Sequence, residues 1–334
     1  MQQPSFSGIL SAAKRISPFV RRTPLQLSEP LSEVLGAPVY IKMENLQPGG
    51  SFKLRGAASR MLVLSDDEKR RGLITASSGN HARAVAIMAR HLGLDATVVM
   101  PETAPLVKVE ACRSLGARVI IAGDDYDRAE EKAHEIARDT GRSYVHAFLD
   151  PIVVEGQGTL GLEIVQDLPG IEQVIVPAGG GGLTCGVGLA AKSVAPGARV
   201  VGVQGDTSPA WFESWHAGQV MSPPVLPTLA DGTAGGISQY TFDLAKKWAD
   251  DFILVTEQLI RQAIRFMVER HRTILEGAGA LGVAAILSRH PGIESRPSAV
   301  VLTGQNIDFA KLVDIICDCA RPYSSAATRA SENR

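Results

Sequence analysis

No charge of either sign prevails in this 334-residue chain: thirty-four Lys and Arg face thirty-five Asp and Glu, a net charge of −1. Such a chain projects no overall field toward nucleic acid or an anionic membrane, so the expected partner is a small molecule. Long apolar runs are missing, which excludes a transmembrane helix. Residues Met1 to Val20 carry Lys14 and Arg15 and interrupt their apolar positions every few residues, unlike the continuous segment of a signal peptide. Cysteine is scarce. Of Cys112, Cys185, Cys317 and Cys319 only the last two are close, and Cys-Asp-Cys has neither zinc-ribbon nor redox spacing. The four are read as reduced, buried thiols of a cytoplasmic protein. Internal repeats and low-complexity segments are absent, and the tail from Pro322 to Arg334 reads as frayed.

What is present is a hydrophobic content of 45%, enough in a chain of this length for a sizeable core in two domains or lobes. Short β-branched runs alternate with stretches of helical period: Leu73 to Thr75 then His81 to His91, Thr97 to Met100 then Pro105 to Leu115, Arg118 to Ile121 then Arg128 to Thr140. The rhythm returns at Val174 to Val176, Val200 to Val203, the helical stretch Thr256 to Arg272, and Ala299 to Leu302. This alternation predicts an α/β fold, with parallel sheet covered by helices on both faces. The Pro/Gly-rich stretch from Gly218 to Gly236 reads as a long functional loop rather than a linker.

Four segments could carry chemistry. Gly179, Gly180, Gly181 and Gly182, then Leu183, lie between a strand and a helix, where successive glycines turn their N–H groups toward an anion at the helix's positive end. The segment lacks the Lys-Ser/Thr ending of a P-loop and the spacing of the dinucleotide fingerprint, so a mononucleotide-like phosphate is expected. Ser77, Ser78, Gly79, Asn80 and His81 stand at another helix start, suited to a carboxylate, although by themselves they read better as a helix cap. Lys53, between Phe52 and Leu54, is either a desolvated, reactive amine or a surface lysine paired with Glu44 or Asp66. Thr303, Gly304, Gln305 and Asn306 follow a strand at the place where open α/β sheets put ligands.

In this order the segments resemble the fold-type II, or tryptophan synthase β-like, pyridoxal-phosphate enzymes, and within them the threonine/serine dehydratase and serine racemase group. The likeness runs from Arg22-Thr-Pro-Leu through Glu44-Asn-Leu-Gln, Ser51-Phe-Lys-Leu-Arg-Gly-Ala57, Ser77 to His81, His146-Ala-Phe-Leu-Asp-Pro151, Gly156-Gln-Gly-Thr159 and Gly179 to Leu183, as far as Asp308. The resemblance implies two lobes, each an open, mostly parallel sheet flanked by helices: residues 1–65 plus 145–334 hold the cofactor, and 66–144 carry the substrate-carboxylate loop. It implies pyridoxal 5'-phosphate joined to Lys53 as a Schiff base, the phosphate in the Gly179 to Leu183 loop, Phe52 beside the ring, Asn80 on its phenolic oxygen and Thr303 facing its pyridine nitrogen. A hydroxyl at that nitrogen makes the ring a weaker electron sink than a carboxylate would, favouring elimination over transamination. The implied reaction is α,β-elimination from a 3-hydroxy amino acid of the threonine/serine type, giving a 2-oxo acid and ammonia with Lys53 as general base. Ser78 occupies the position from which racemases protonate the opposite face, so an amino-acid racemase is the alternative, as is a dehydratase for phenylserine or 3-hydroxyaspartate.

The sequence departs from the group where several members hold a divalent cation. Gln204 stands in the glutamate position and Ala210 in the aspartate position, with Asp206 nearby, and no metal is expected. Gln305 is bulkier than the residue usual in that turn. Feedback control through a C-terminal domain of the kind that senses branched-chain amino acids is not expected from a sequence ending here, and a homodimer is the default expectation.

Overall fold

The structure, a computed structural model, describes residues 3–317. Cys319 and the tail from Pro322 to Arg334 lie outside the described residues. The elements in chain order are α1 (Phe6–Ile16), β1 (Leu25–Leu27), α2 (Glu29–Leu35), β2 (Val39–Lys42), α3 (Lys53–Met61), α4 (Asp66–Arg71), β3 (Leu73–Ala76), α5 (Asn80–Leu92), β4 (Ala96–Met100), α6 (Leu106–Ser114), β5 (Arg118–Ile121) and α7 (Tyr126–Thr140). They continue with β6 (Ser143–Tyr144), α8 (Pro151–Asp167), β7 (Gln173–Pro177), α9 (Gly182–Val194), β8 (Arg199–Gly205), α10 (Ala210–Ala217), α11 (Gln239–Trp248), β9 (Asp251–Val255), α12 (Glu257–His271), α13 (Gly277–Leu287), β10 (Ser298–Val301) and α14 (Phe309–Cys317).

Two sheets result. The larger runs β1-β2-β10-β7-β8-β9 and is parallel except for β1 against β2, and the smaller runs β5-β4-β3-β6 and is parallel throughout. Every residue of β3, β4, β7 and β10 is buried, as expected for strands covered by helices on both faces. No helix among the described residues is long and apolar enough to cross a membrane.

The strands expected from Leu73 to Leu302 all form, Arg118–Ile121 with the expected bounds and the others with ends shifted by at most two residues. Residues 218–236 run irregularly between α10 and α11 apart from a short 3₁₀ turn at Asp231–Thr233. The cysteine expectation needs one correction. Cys112 and Cys185 are buried but Cys317 is exposed, because α14 buries Leu312 and Ile315 and turns its last residue off that face.

Helix α8 is the element least like its sequence, with Gly156, Gly158 and Gly161 in its interior. Glycine disfavours a helix by about 1 kcal/mol against alanine, and here close packing overrides that preference. A Cβ at Gly156 would stand 2.7 Å from the Arg55 carbonyl oxygen, one at Gly158 2.9 Å from the Gly186 carbonyl oxygen, and one at Gly161 2.9 Å from Val187 Cα. The bare backbone of α8 thus lies against α3 on one side and α9 on the other. Helix α3 in turn puts Leu54, Ala57, Ala58 and Met61 into the same core as Leu73, Val85 and Met88 of the smaller sheet's layer, so it packs against α5 as well as against α8.

Candidate active site

Three turns that follow parallel strands meet near the start of α3: one after β3, one after β7 and one after β10. Gly49 and Gly50 take φ of +84° and +77° and fold the chain before Lys53. The fold is stitched to the turn after β10, because Phe52 N donates to Thr303 O at 3.1 Å and Gln305 N to Gly50 O at 3.0 Å. Lys53 is therefore the first residue of a helix whose entry is pinned on both sides.

Lys53 is half-buried, and its Nζ lies 5.2 Å from the Phe52 ring centroid and 3.5 Å from the Ala147 carbonyl oxygen. It pairs with neither Glu44 nor Asp66: Glu44 is taken by Arg55, and Asp66 lies on α4 beside Lys69. Burial lowers its pKa to about 8, against the pull of the Glu276 carboxyl. A substantial fraction of the amine is then neutral at physiological pH, the state in which it attacks an aldehyde or accepts a proton.

The glycine turn after β7 is a cradle of unspent donors. The N–H groups of Gly179 through Thr184 make no hydrogen bond among the described residues, and the buried Thr184 hydroxyl has no partner either. The outside of the turn is walled: a Cβ at Gly180 would run into the Phe148 ring, and one at Gly181, where φ is +92°, into Trp211. Trp211 donates through Nε1 to the Gly179 carbonyl and stacks on Phe252 at 4.4 Å, fixing the turn from behind. His146 accepts from Phe148 N at 3.1 Å and Leu149 N at 2.9 Å, which holds Phe148 in place. Six free N–H groups at the start of a thirteen-residue helix suit a dianionic phosphate.

The turn after β3 is arranged alike. Gly79 N donates to Ser77 Oγ at 3.2 Å, whereas the N–H groups of Ser78, Asn80, His81 and Ala82 make no hydrogen bond among the described residues. The Ser78 hydroxyl also makes none. The His81 ring does not face the turn's open side: it is 3% exposed, with Nε2 2.9 Å from the Val145 carbonyl oxygen. Burial and the neighbouring Lys53 lower its pKa to about 3, so it is neutral and contributes no charge. Thr303 is buried, and its hydroxyl makes no hydrogen bond among the described residues.

One residue of the site escapes the sequence reading. Glu276 precedes α13, is 6% exposed, and accepts from Asn80 Nδ2 at 2.6 Å. Burial, helped by Asp231, raises its pKa to about 7, with Asn80, Lys108 and the Asn306 backbone pulling the other way. Gly304 is close to it: a Cβ there would overlap the carboxylate. Asn306 Nδ2 donates to Asn80 Oδ1 at 2.7 Å and to Gly49 O at 2.8 Å.

Behind Lys53 lies a buried ionic cluster. Arg55 donates to both Glu44 oxygens at 2.8 Å and to Glu163 at 2.7 and 2.9 Å, and Lys42 donates to Glu163 at 2.6 Å. Burial opposes the Glu44 charge, but Arg55 overcomes it and holds the carboxyl below its ordinary range. Gln204 is engaged elsewhere, accepting from Trp211 N at 2.7 Å at the start of α10, and Asp206 is exposed. Among the described residues no three His, Cys, Asp or Glu side chains gather as a metal site would require.

Comparison with known proteins bears on this arrangement. Residues 16–304 match the family described as pyridoxal-phosphate dependent enzyme. The chain is 46% identical over 309 residues to an L-threonine ammonia-lyase of Thermotoga maritima, covering 92% of this chain and 77% of that protein. It is 40% identical over 317 residues to a catabolic L-threonine dehydratase of Staphylococcus aureus, covering 93% and 92%. The structure of maize serine racemase superposes with a TM-score of 0.89 at 31% identity over 94% of this chain and 97% of that one. A processed threonine deaminase isoform from Solanum lycopersicum superposes with a TM-score of 0.87 at 35% identity, covering 94% and 89%.

Proposed function

This chain belongs to the pyridoxal-phosphate dependent enzymes, and within that family we propose that it is an ammonia-lyase converting threonine, or a closely similar 3-hydroxy amino acid, to a 2-oxo acid and ammonia. The observation that carries this reading is Lys53, a desolvated amine 3.5 Å from the Ala147 carbonyl oxygen, next to the Phe148 against which the glycine turn with its six unspent N–H donors packs. The residues present fit the cofactor: Lys53 Nζ would hold its aldehyde carbon, and the N–H groups of Gly179 through Gly182 and Leu183 its phosphate. Phe52 would pack against the ring, Asn80 would donate to its phenolic oxygen, and Thr303 would face its pyridine nitrogen. When bound, the cofactor supplies an electron sink that acidifies the substrate's α-carbon.

The chain's own groups do the rest. The free N–H groups of Ser78, Asn80, His81 and Ala82, at the positive end of α5, bind the substrate carboxylate with Ser77 and Gly79 shaping the turn. That would fix the α-carbon over Lys53, whose amine, set free as the substrate's own amino group takes its place on the aldehyde carbon, would take the α-proton as general base. The β-hydroxyl then departs as water, and one water is taken up as ammonia leaves, so threonine yields 2-oxobutanoate and ammonia in balance. Closure of the smaller lobe, residues 66–144, onto residues 1–65 and 145–334 would exclude solvent while this happens. We place the enzyme in the cytoplasm, as a homodimer.

The test is release of ammonia and 2-oxo acid from the protein loaded with pyridoxal phosphate, over both enantiomers of threonine and serine, 3-hydroxyaspartate and phenylserine. Release from L-threonine that disappears in Lys53→Ala is the expected result. A wild-type protein that holds the cofactor on Lys53 and releases nothing from this panel would overturn the proposal. The unpartnered Ser78 hydroxyl favours one second reading, racemisation, and the same mixtures analysed for inverted amino acid decide it.

A further inference from the structure

Three glutamates are buried among the described residues. Glu44 and Glu163 are neutralised by Arg55 and Lys42, but Glu276 has no cationic partner in hydrogen-bond contact. Its one side-chain partner is Asn80, and that contact closes a polarised chain: Arg83 Nη1 lies 3.4 Å from Asn306 Oδ1, Asn306 Nδ2 donates to Asn80 Oδ1 at 2.7 Å, and Asn80 Nδ2 donates to Glu276 at 2.6 Å. Every amide in the chain thereby has its oxygen toward a donor. A reversed Asn80 would set its oxygen against the carboxylate and its NH₂ against that of Asn306, losing both bonds. In the orientation observed, Asn80 spends one Nδ2–H on Glu276 and leaves the other without a partner among the described residues.

We propose that Glu276 is a positioning residue: through Asn80 it keeps one amide N–H free for the cofactor's phenolic oxygen, and its own ionisation sets how firmly that N–H is held. This rests on the reading that pyridoxal phosphate is joined to Lys53.

The neighbours place the ionisation in the working range. Burial and Asp231 raise the Glu276 pKa to about 7, and Asn80, Lys108 and the Asn306 backbone oppose them. Lys53 on α3 and the positive ends of α5 and α13 also favour the charged form, Arg83 acts at one remove through Asn306, and His81 is neutral. Above this pH the carboxylate accepts from Asn80 and locks its orientation. Below it the neutral carboxyl can itself donate, and the preference for the observed orientation falls.

The test uses the substrate-free, cofactor-loaded protein. Borohydride reduction followed by peptide mapping first establishes whether the cofactor sits on Lys53, and its absence there would overturn the function proposed above together with this inference. With attachment established, the visible band of the bound cofactor is followed against pH. Wild type and Glu276→Asp should show a transition near pH 7, which Glu276→Gln, able to accept from Asn80 but not to titrate, should lose. Glu276→Leu, with no acceptor, should bind the cofactor roughly tenfold more weakly, the value of about one hydrogen bond. A transition unchanged in Glu276→Gln, or wild-type cofactor affinity in Glu276→Leu, would overturn the role of Glu276 and leave the ammonia-lyase reading standing.

Discussion

Replacing Arg55 by methionine removes the centre of the buried cluster while keeping most of its volume. In the native chain two carboxylates, Glu44 and Glu163, are balanced by two cations, Arg55 and Lys42, and the guanidinium makes four bonds to carboxylate oxygens plus one to Thr159 Oγ1 at 3.1 Å and one to the Arg21 carbonyl oxygen at 3.2 Å. After the change Lys42 alone faces both acids, and the fully buried Glu44 keeps the Thr23 hydroxyl but loses the cation it is bonded to. Stripping one member from such a pair costs about 3–5 kcal/mol, because an uncompensated buried charge remains. The sign of the pH dependence tests the cause. In the native chain Glu44 titrates below its ordinary 4.5, so its contribution is complete above that pH and is lost only as the pH falls through the lower, folded value. In Arg55→Met the burial that opposes its charge is no longer outweighed. Glu44 then binds a proton more readily folded than unfolded, and the variant gains stability as the pH falls. Urea unfolding of both proteins by circular dichroism should show a gap of about 3–5 kcal/mol at neutral pH that narrows on acidification. A gap below about 1 kcal/mol, the usual worth of a surface pair, or one that is flat with pH, would refute the argument.

Other outcomes follow from the same geometry. In the cofactor-free protein an amine reagent should label Lys53 with a half-maximal rate near pH 8, because only the neutral amine reacts; a midpoint at the ordinary lysine value of 10.5 would count against the desolvated amine. Gly181→Ala forces a side chain onto a φ of +92° and into Trp211, so cofactor affinity measured by equilibrium dialysis should fall by about 2 kcal/mol, roughly thirtyfold; an unchanged affinity would mean that the turn is not the phosphate cradle. His81 is neutral when folded, with a pKa near 3 against 6.5 when exposed, so it contributes stability that is complete above 6.5 and lost as the pH falls toward 3. His81→Gln should therefore flatten the acid side of the stability curve, by up to about 1.4 kcal/mol per pH unit, and equal slopes in the two proteins would exclude the effect.

The two parallel sheets were legible because their strands are buried on both faces and read as plain β-branched runs, as at Val174 to Val176. The glycine turn after β7 was legible because four glycines between a strand and a helix have a specific physical use. Helix α8 was not: its interior glycines argue locally against a helix, and only contact with α3 and α9 accounts for them. Glu276 escaped because Glu-Gly-Ala-Gly-Ala reads as a small-residue turn. The available signal was a lone acid amid the small and apolar residues from Ile274 to Leu287, a charge that folding was bound either to expose or to use. The His81 ring shows the opposite limit, since its place in the motif gives no hint that it faces the Val145 carbonyl.

The glycines of α8 also set a mechanical tolerance. Between the helix bearing Lys53 and the helix rising from the glycine turn stands a spacer that meets both of them through bare backbone at Gly156, Gly158 and Gly161. A gap filled by side chains can stretch or shrink as rotamers change, but one set by main chain against main chain has almost no play. The separation of the amine from the glycine turn is thus gauged like a machined shim. Whatever yields when the molecule works has to be sought in the parts that ride on this gauge, the turn at Ser77 to His81 foremost among them.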